Sequence, residues 1–343
     1  MDVRLSPEQQ ALRDSVRQVV EHHGPKAVGQ LDDDERKGKL DAAVAASGWR
    51  ELRIAIDDSR QPLASAVEAA VVAEELGRAL ADASFVGPTL AADLRRLAGI
   101  DPAAGVETVA LTTDLATLAP ATGGSLDAAA LAIDASGAGA ALAAVPGDGA
   151  TTLATVAVTA DPVLVDLTRP GVVLDPGAAA TPVEGGRPIG ADDLTRWQAL
   201  ALALACADLV GVMRGAVELS TEYAKGRQQY GVVIGSFQAV QHLLADAFVL
   251  MEGSRSAALH AAWAVDALEP AEALAAAAVA KAYSARAART VCETAIQVHG
   301  GIGNTWECLA HVYLRRALLS TDLLGGTGPN LARVLTHHGI GGN

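Results

Sequence analysis

The stretch Tyr223–Gln238 places a guanidinium and several side-chain amides in one loop between two helical patterns. The first pattern ends at Gly226 and the second begins near Ser236. Arg227 carries a fixed fork of donors that suits a phosphate, and Gln238 falls in the first turn of the next helix, whose dipole favours anions. Taken alone, such a loop is also typical of a solvated connection between helices, so a phosphate site needs a second supporting element.

The second element is the glycine-rich turn Gln297–Gly303, which follows a long alanine-rich helical pattern. Its three glycines permit positive φ and a close approach of the backbone to a ligand. Gln297 and His299 are able to donate hydrogen bonds beside them. Without a ligand, the same turn is also typical of a glycine-capped helix end, and His299 of a core histidine bonded to a carbonyl.

Helices must position both elements, and the sequence predicts a mostly α fold with a central β domain. Helical patterns begin at Ser6-Pro7-Glu8-Gln9 and continue at Leu40–Ser47, Ala64–Ala81 and Thr89–Ala98. Short apolar runs separated by turn residues then predict a small antiparallel sheet or barrel. These runs are Val109–Leu111, Ala130–Ile133, Ala140–Ala144, Ala154–Val158 and Val163–Leu167.

Long helical periodicity returns after the β segment and predicts a C-terminal four-helix bundle. Its helices are expected at Leu194–Gly226, Phe237–Leu268, Ala271–Val298 and Thr305–Leu324. We therefore predict an N-terminal helical domain over residues 1–105, a central β domain over 106–190, and a bundle over 191–343 for cofactor binding and oligomerisation.

Composition narrows the classes of partner. The formal net charge of −14 argues against nucleic acid or an anionic membrane, because both would be repelled. No uncharged apolar run is long enough for a bilayer span, so a cytoplasmic protein is expected. Cys206, Cys292 and Cys308 lack paired spacing, which favours buried inert thiols over disulfides or a zinc site.

Together the two elements resemble the acyl-CoA dehydrogenase family. The matched patterns are Tyr-x-x-x-Arg-x-Gln-Tyr/Phe-Gly-x-x-Ile-x-x-Phe-Gln, Gln-x-His/Phe-Gly-Gly-x-Gly and Tyr-Leu-Arg-Arg, found here at Tyr223–Gln238, Gln297–Gly303 and Tyr313–Arg316. Ala73–Arg78 and Val165–Arg169 are supporting matches. The resemblance spans essentially the whole chain in the same helical, β, helical order. It is specific in the bundle and loose in the middle.

The resemblance implies an FAD site shared between subunits, and therefore an oligomer. It makes seven residues cofactor contacts: Arg227, Gln229, Tyr230, Gln238, Gln297, Gly300 and Gly301. Arg227, Gln229 and Gln238 would bind the pyrophosphate and adenosine, and Tyr230 would pack beneath the cofactor. Gln297, Gly300 and Gly301 would face a flavin bound mainly by a neighbouring subunit.

The family's reaction also needs a carboxylate, which removes the α-proton of an acyl thioester while hydride passes from the β-carbon to the flavin. Here the expected position aligns with Leu324 or Gly325, and the alternative position near Ala201-Leu202 is equally apolar. Asp322 is a weak candidate, because it lies a few residues early and half a helical turn would point it elsewhere. Glu307 matches a carboxylate that is structural in the family.

Two further segments depart from the family pattern. In the middle domain only Thr112-Thr113-Asp114 resembles the family residues that face the flavin ring, and the glycine-rich segment that normally follows is missing. In the first domain Ile56–Pro62 replaces the usual Gly-Gly loop. These losses argue against acyl-CoA binding by this chain alone.

The chain thus resembles the base-lacking subunit of bacterial α2β2 dehydrogenases that degrade steroid side chains. A homologous partner subunit would supply the base, with an acyl-CoA as substrate and a flavoprotein as electron acceptor. A homotetramer that uses Asp322 or another displaced carboxylate is an alternative, and a non-catalytic structural subunit is another.

Overall fold

The computed structural model describes residues 4–163 and 165–340. Its helices are α1 (Pro7–His23), α2 (Asp34–Ala46), α3 (Ala66–Arg78), α4 (Val86–Ala98), α5 (Ala191–Gly226), α6 (Gln238–Ala267), α7 (Pro270–His299), α8 (Ala310–Asp322) and α9 (Thr327–His337). The predicted order of a helical region, a β region and a helical bundle is confirmed.

Local capping explains where the first helices begin. At α1 the Ser6 hydroxyl accepts from the Gln9 amide at 3.2 Å, while the Gln9 side chain accepts from the Ser6 amide at 3.0 Å. Helix α2 begins six residues before the predicted Leu40, because Asp33 caps the Arg36 amide. The early turns of α2 are polar, so apolar periodicity alone misses them.

The strands are β1 (Glu107–Thr112), β2 (Ala121–Thr122), β3 (Ser125–Leu126), β4 (Ala130–Ala132), β5 (Ala140–Pro146), β6 (Ala150–Ala157), β7 (Pro162–Val163), β8 (Gly171–Leu174), β9 (Ala180–Pro182), β10 (Ile189–Gly190), β11 (Gln228–Gln229) and β12 (Val232–Val233). The main sheet has the order β10-β6-β5-β1-β4-β8-β7, with β9 beside β6. Its pairs are antiparallel except β1–β5, which is parallel.

The predicted strand Val163–Leu167 is mostly wrong. Only Val163 lies in β7, Leu164 lies outside the described residues, and residues 165–169 form a bend. The cause is local, because the Asp166 carboxylate accepts from the Thr168 amide at 2.9 Å and closes a tight turn.

The C-terminal region is built around α5. By length and composition α5 is the one helix among the described residues that is able to cross a bilayer, but 89% of its apolar window is buried. It is therefore the core helix of the bundle. The predicted helix Thr305–Leu324 begins only at Ala310. Gly300–Asn304 form a 3-10 segment, and residues 305–309 after it form turns. Helix α9 was not predicted.

Small residues let α3 and α5 pack backbone to backbone. A Cβ added at Gly211 would lie 2.0 Å from the Glu74 carbonyl oxygen, and one at Gly215 would lie 2.3 Å from that of Arg78. No side chain fits at either place. This close approach explains why a chain so poor in aromatic residues builds a dense core.

A buried ionic cluster, which we call the Asp208 cluster, joins the three regions. Oδ1 of Asp208 on α5 accepts from Arg316 at 2.6 Å, and Oδ2 accepts from the Ser320 hydroxyl at 2.7 Å and lies 3.2 Å from Arg169. Arg316 also donates to the Ala81 carbonyl beyond α3 at 2.9 Å. Burial alone would raise the Asp208 pKa, but the guanidinium groups of Arg169 and Arg316 outweigh it and lower that pKa.

We expect Asp208→Asn to destabilise the chain by about 3–5 kcal/mol, because two buried guanidinium groups lose their counter-charge. Urea unfolding at pH 7 measures this. Arg289→Gln, which removes an exposed pair with Glu293, should change the unfolding free energy by less than about 0.5 kcal/mol.

The same substitution should also change the acid limb of stability. Because the folded-state pKa of Asp208 is lowered, its contribution is complete above about pH 4 and is lost as pH falls towards the folded pKa. The unfolding free energy of Asp208→Asn should therefore fall less steeply below pH 4 than that of the unmodified chain. Equal slopes would contradict the assignment.

Candidate functional site

One end of the bundle gathers the residues predicted to bind a cofactor. Arg227 caps the C-terminus of α5, where its amide donates to the Tyr223 carbonyl at 2.8 Å. The β11–β12 hairpin follows, with Tyr230 and Gly231 at its tip in the left-handed region, at φ +53° and +79°. The Ile234 amide donates back to the Arg227 carbonyl at 2.8 Å. The backbone around Arg227 is thus held by the hairpin.

A ring stack brings the glycine-rich turn beside this loop. Tyr223 and His299 stack with centroids 4.4 Å apart and an interplanar angle of 27°. His299 is buried, and its Nδ1 lies 2.7 Å from the Ala295 carbonyl oxygen. His299 is therefore the carbonyl-bonded core histidine, and its role is to join α5 to the end of α7.

The predicted contact side chains around this junction are exposed. Tyr230 is 94% exposed, and Arg227, Gln229, Gln238 and Gln297 are also on the surface. Within residues 4–163 and 165–340, Arg227 makes no ion pair. A free guanidinium in a chain with a net charge of −14 favours an external anion.

Backbone groups add to this surface. A Cβ added at Gly300 or Gly301 would meet nothing within 4 Å, and Gly300 has φ +64°. Helix α6 begins at Gln238 without a side-chain cap, so its first N–H groups are available to a ligand. We call Arg227, Gln229, Gln238, Gln297 and Gly300–Gly301 the donor surface. Its chemistry fits the phosphates of a dinucleotide.

The ring end of such a cofactor has no comparable place in this chain. The resemblance sets a flavin ring between the counterparts of Thr112–Asp114 and Leu324. Here the Leu324 amide donates to the Leu115 carbonyl at 2.7 Å, and both leucines are buried. Leu115 and Leu324 have φ +59° and +60°, an uncommon conformation for leucine. The cleft between the β domain and the bundle is closed by this contact.

Behind the contact lies a cavity of only about 20 Å³, which is room for one water molecule. Asp134 lines it and accepts from the amides of Phe85 and Gly87 at 2.8 and 3.2 Å, at the N-terminus of α4. Burial raises the pKa of Asp134. A cavity of this size does not admit a tricyclic ring.

The residues at the positions considered for the catalytic base do not line this cavity. Asp322 is exposed at the end of α8, and its backbone carbonyl accepts from the Gly325 amide at 3.0 Å. Ala201 and Leu202 are buried in the core, and Glu307 is exposed. Neither Leu115 nor Asp134 was predicted from the sequence. For Asp134 the available signal was an isolated aspartate directly after the apolar run Ala130–Ile133.

Comparison with known proteins gives the chain a family. Residues 200–335 match the model of the acyl-CoA dehydrogenase C-terminal domain. The acyl-CoA dehydrogenase IpdE2 of Mycolicibacterium smegmatis is 31% identical over 339 residues, covering 96% of this chain and 98% of that protein. The acyl-CoA dehydrogenase FadE34 of Mycobacterium tuberculosis is 43% identical over 147 residues, but these cover 42% of this chain and 21% of that protein.

Solved structures show the same fold. A variant of the steroid acyl-CoA dehydrogenase Tcur3481-Tcur3483 superposes with a TM-score of 0.81 at 22% identity, covering 97% of this chain and 98% of that one. The ChsE4-ChsE5 complex from Mycobacterium tuberculosis gives 0.77 at 24% identity, with both chains fully covered. With its full-length relative and this shared fold, the chain belongs to the acyl-CoA dehydrogenase family.

Proposed function

We propose that the chain is a subunit of an FAD-dependent acyl-CoA dehydrogenase, and that it binds the phosphates of a cofactor whose ring lies in a homologous partner subunit. One observation carries the proposal: an open donor surface and a closed cleft occur in the same chain. The donor surface would hold the phosphates, and the small cavity behind the Leu115–Leu324 contact supports a ring and a substrate bound by the partner.

Exposed apolar side chains on α6 and α9 support a subunit partner. Leu243, Phe248 and Val249 are exposed on α6, and Leu331 and Leu335 are exposed on α9. A groove of about 570 Å³ runs between these helices and α7, and its lining is mostly apolar. Exposed apolar side chains and an apolar groove of this kind are typical of a subunit interface. The heteromeric ChsE4-ChsE5 complex gives a precedent for a homologous partner.

The substrate that we propose for the assembly is a bulky, steroid-derived acyl-CoA, by analogy with the steroid dehydrogenase Tcur3481-Tcur3483. An electron-transferring flavoprotein would reoxidise the enzyme. This proposal follows from the similar fold of a chain in the solved structure of the electron-transferring flavoprotein of Acidaminococcus fermentans. When bound, FAD supplies the hydride acceptor for α,β-dehydrogenation. The base would come from the partner, because its expected position aligns with Leu324 or Gly325 in this chain.

Within this assignment the residues of this chain act only on the non-reacting end of the cofactor. Arg227 would pair with the pyrophosphate, and the amides of Gln229, Gln238 and Gln297 would donate hydrogen bonds to phosphate and ribose oxygens. Gly300–Gly301 would allow the partner's cofactor to approach the backbone. A cofactor held at both ends is positioned more firmly, and positioning contributes directly to rate.

We expect Arg227→Gln to weaken FAD binding by the assembly roughly 10- to 100-fold, because one charge-assisted pair contributes about 1.5–3 kcal/mol. The measurement is the Kd of FAD for the apo-assembly, made with the co-expressed homologous partner. Arg289→Gln serves as the control, since it also removes one exposed guanidinium from the bundle. Equal FAD affinity in the two variants would refute a role for Arg227.

Hydrogen exchange tests the closed cleft. The Leu324 amide should exchange slowly in the assembly, and its rate should not change when FAD and acyl-CoA are added, because nothing enters between Leu324 and Leu115. The amides of Gly300 and Gly301 should slow down on FAD addition. Faster exchange at Leu324 with ligands present would mean that the cleft opens to admit them.

A base supplied by the partner makes Asp322 dispensable. Asp322→Asn in this chain should change the turnover of the assembly by less than about twofold, whereas loss of a general base costs about 10²- to 10⁴-fold. Steady-state dehydrogenation with an artificial acceptor measures this. A loss of the larger size, with flavin retained, would favour the homotetramer that uses Asp322.

A further inference from the structure

A second aromatic and cationic group lies just beyond the glycine-rich turn. Trp306 is 65% exposed, while the other three tryptophans are buried or half-buried. The Arg315 guanidinium carbon lies 5.9 Å from the centroid of the Trp306 ring, over its face. The His311 ring meets Trp306 edge-on, at 5.0 Å and 81°. Two contacts therefore orient the indole, and most of its surface remains open.

The charges around the indole favour an anionic ligand. Arg315 is exposed, and it makes no ion pair with any residue that the structure describes. Burial lowers the pKa of His311, and Arg315 lowers it further, so the imidazole is neutral near pH 7. The local positive charge is thus concentrated on Arg315, in a chain whose net charge is −14.

The backbone fixes this group relative to the donor surface. Thr305 closes the turn, because its amide and its hydroxyl both donate to the Ile302 carbonyl, at 3.0 and 2.8 Å. Trp306 follows Gly301 by five residues, which limits their separation to about 17 Å even in a fully extended chain. A ligand held at the glycines therefore has an aromatic platform nearby.

An exposed indole beside a free guanidinium is the pairing that recognises a nucleotide, since bases stack on aromatic faces and phosphates pair with arginine. We propose that Trp306 and Arg315 bind an adenosine phosphate, with adenine on the indole and phosphate on the guanidinium. The inference rests on the proposed function, because the adenosine half of FAD and the 3′-phosphoadenosine end of CoA are the two sources of such a group.

Tryptophan fluorescence of the full chain tests this without catalysis. AMP should quench the emission saturably when it is added up to about 10 mM, where a site with a Kd of about 1 mM is nine-tenths filled. Trp306→Phe should abolish that quenching, and Trp263→Phe, at a half-buried tryptophan, should retain it. Arg315→Gln should weaken AMP binding roughly tenfold or more but leave the weaker binding of adenosine unchanged.

The two sources give different results in the same titration. Adenosine 3′,5′-bisphosphate binding at least tenfold tighter than AMP indicates CoA, and equal affinities indicate FAD. Quenching that is identical in Trp306→Phe and the unmodified chain would overturn the proposal. Absence of saturable quenching would also overturn it, as would a Trp306→Phe variant that loses assembly with the partner but keeps nucleotide binding.

The outcome is separable from that of the proposed function. Arg227→Gln should keep the AMP response of Trp306, because the two sites use different side chains. Loss of FAD affinity in Arg227→Gln together with no AMP response would leave the proposed function standing and remove only this inference.

Discussion

The position of Asp208 constrains the rest of the molecule. Its carboxylate is buried where α5, α8 and the bend at Asp166–Arg169 meet, and a charge without partners there would cost several kcal/mol. Arg316 and Arg169 must therefore remain in place, which fixes α8 against α5. Lys281 adds a second restraint, because its amine donates to the carbonyls of Ser320 and Leu323 at the end of α8. The end of α8, just before Leu324, is thus held by both restraints.

The closed cleft follows from that restraint. With the end of α8 fixed, Leu323 and Leu324 are directed towards the β domain, and the Leu324 amide meets the Leu115 carbonyl. The Leu324 carbonyl oxygen also accepts from the Arg333 guanidinium at 2.8 Å, so α9 holds this positive-φ residue from the other side. Asp134 lines the small space that remains and accepts from the amides at the start of α4. The interactions that stabilise the three regions thus leave only a cavity of about 20 Å³ between the β domain and the bundle.

The donor surface is free of this constraint. It lies where α5 and α7 end and α6 begins, and the Tyr223–His299 stack holds these ends together. Flexible glycines and uncapped amides remain accessible there because no other part of the described chain covers them. One chain therefore combines a filled interior with an open donor surface. We propose that a partner subunit covers the donor surface and supplies the place for the ring.

The sequence predicted the order of the regions and the bundle helices, because those depend on local periodicity, while the donor residues stay a prediction from contiguous motifs. It did not predict α9, whose start at Thr327-Gly328-Pro329 carries few helix signals; Asn330 secures it by donating to the carbonyls of Gly325 and Gly326. Nor could it predict the contact of Leu115 with Leu324, which joins residues far apart in the chain through a backbone bond that no residue type encodes. The segment Val165–Arg169 was recognised only as a motif, and its role in the Asp208 cluster emerged from the structure.

The most direct measurement is the flavin content of the chain, purified alone and with its homologous partner, from absorbance at 450 nm per mole of protein. We expect a colourless lone chain that acyl-CoA leaves unchanged, and a complex that holds one flavin for each pair of chains. A lone chain that carries one flavin per subunit, bleached by acyl-CoA under anaerobic conditions, would contradict the proposed division between the subunits.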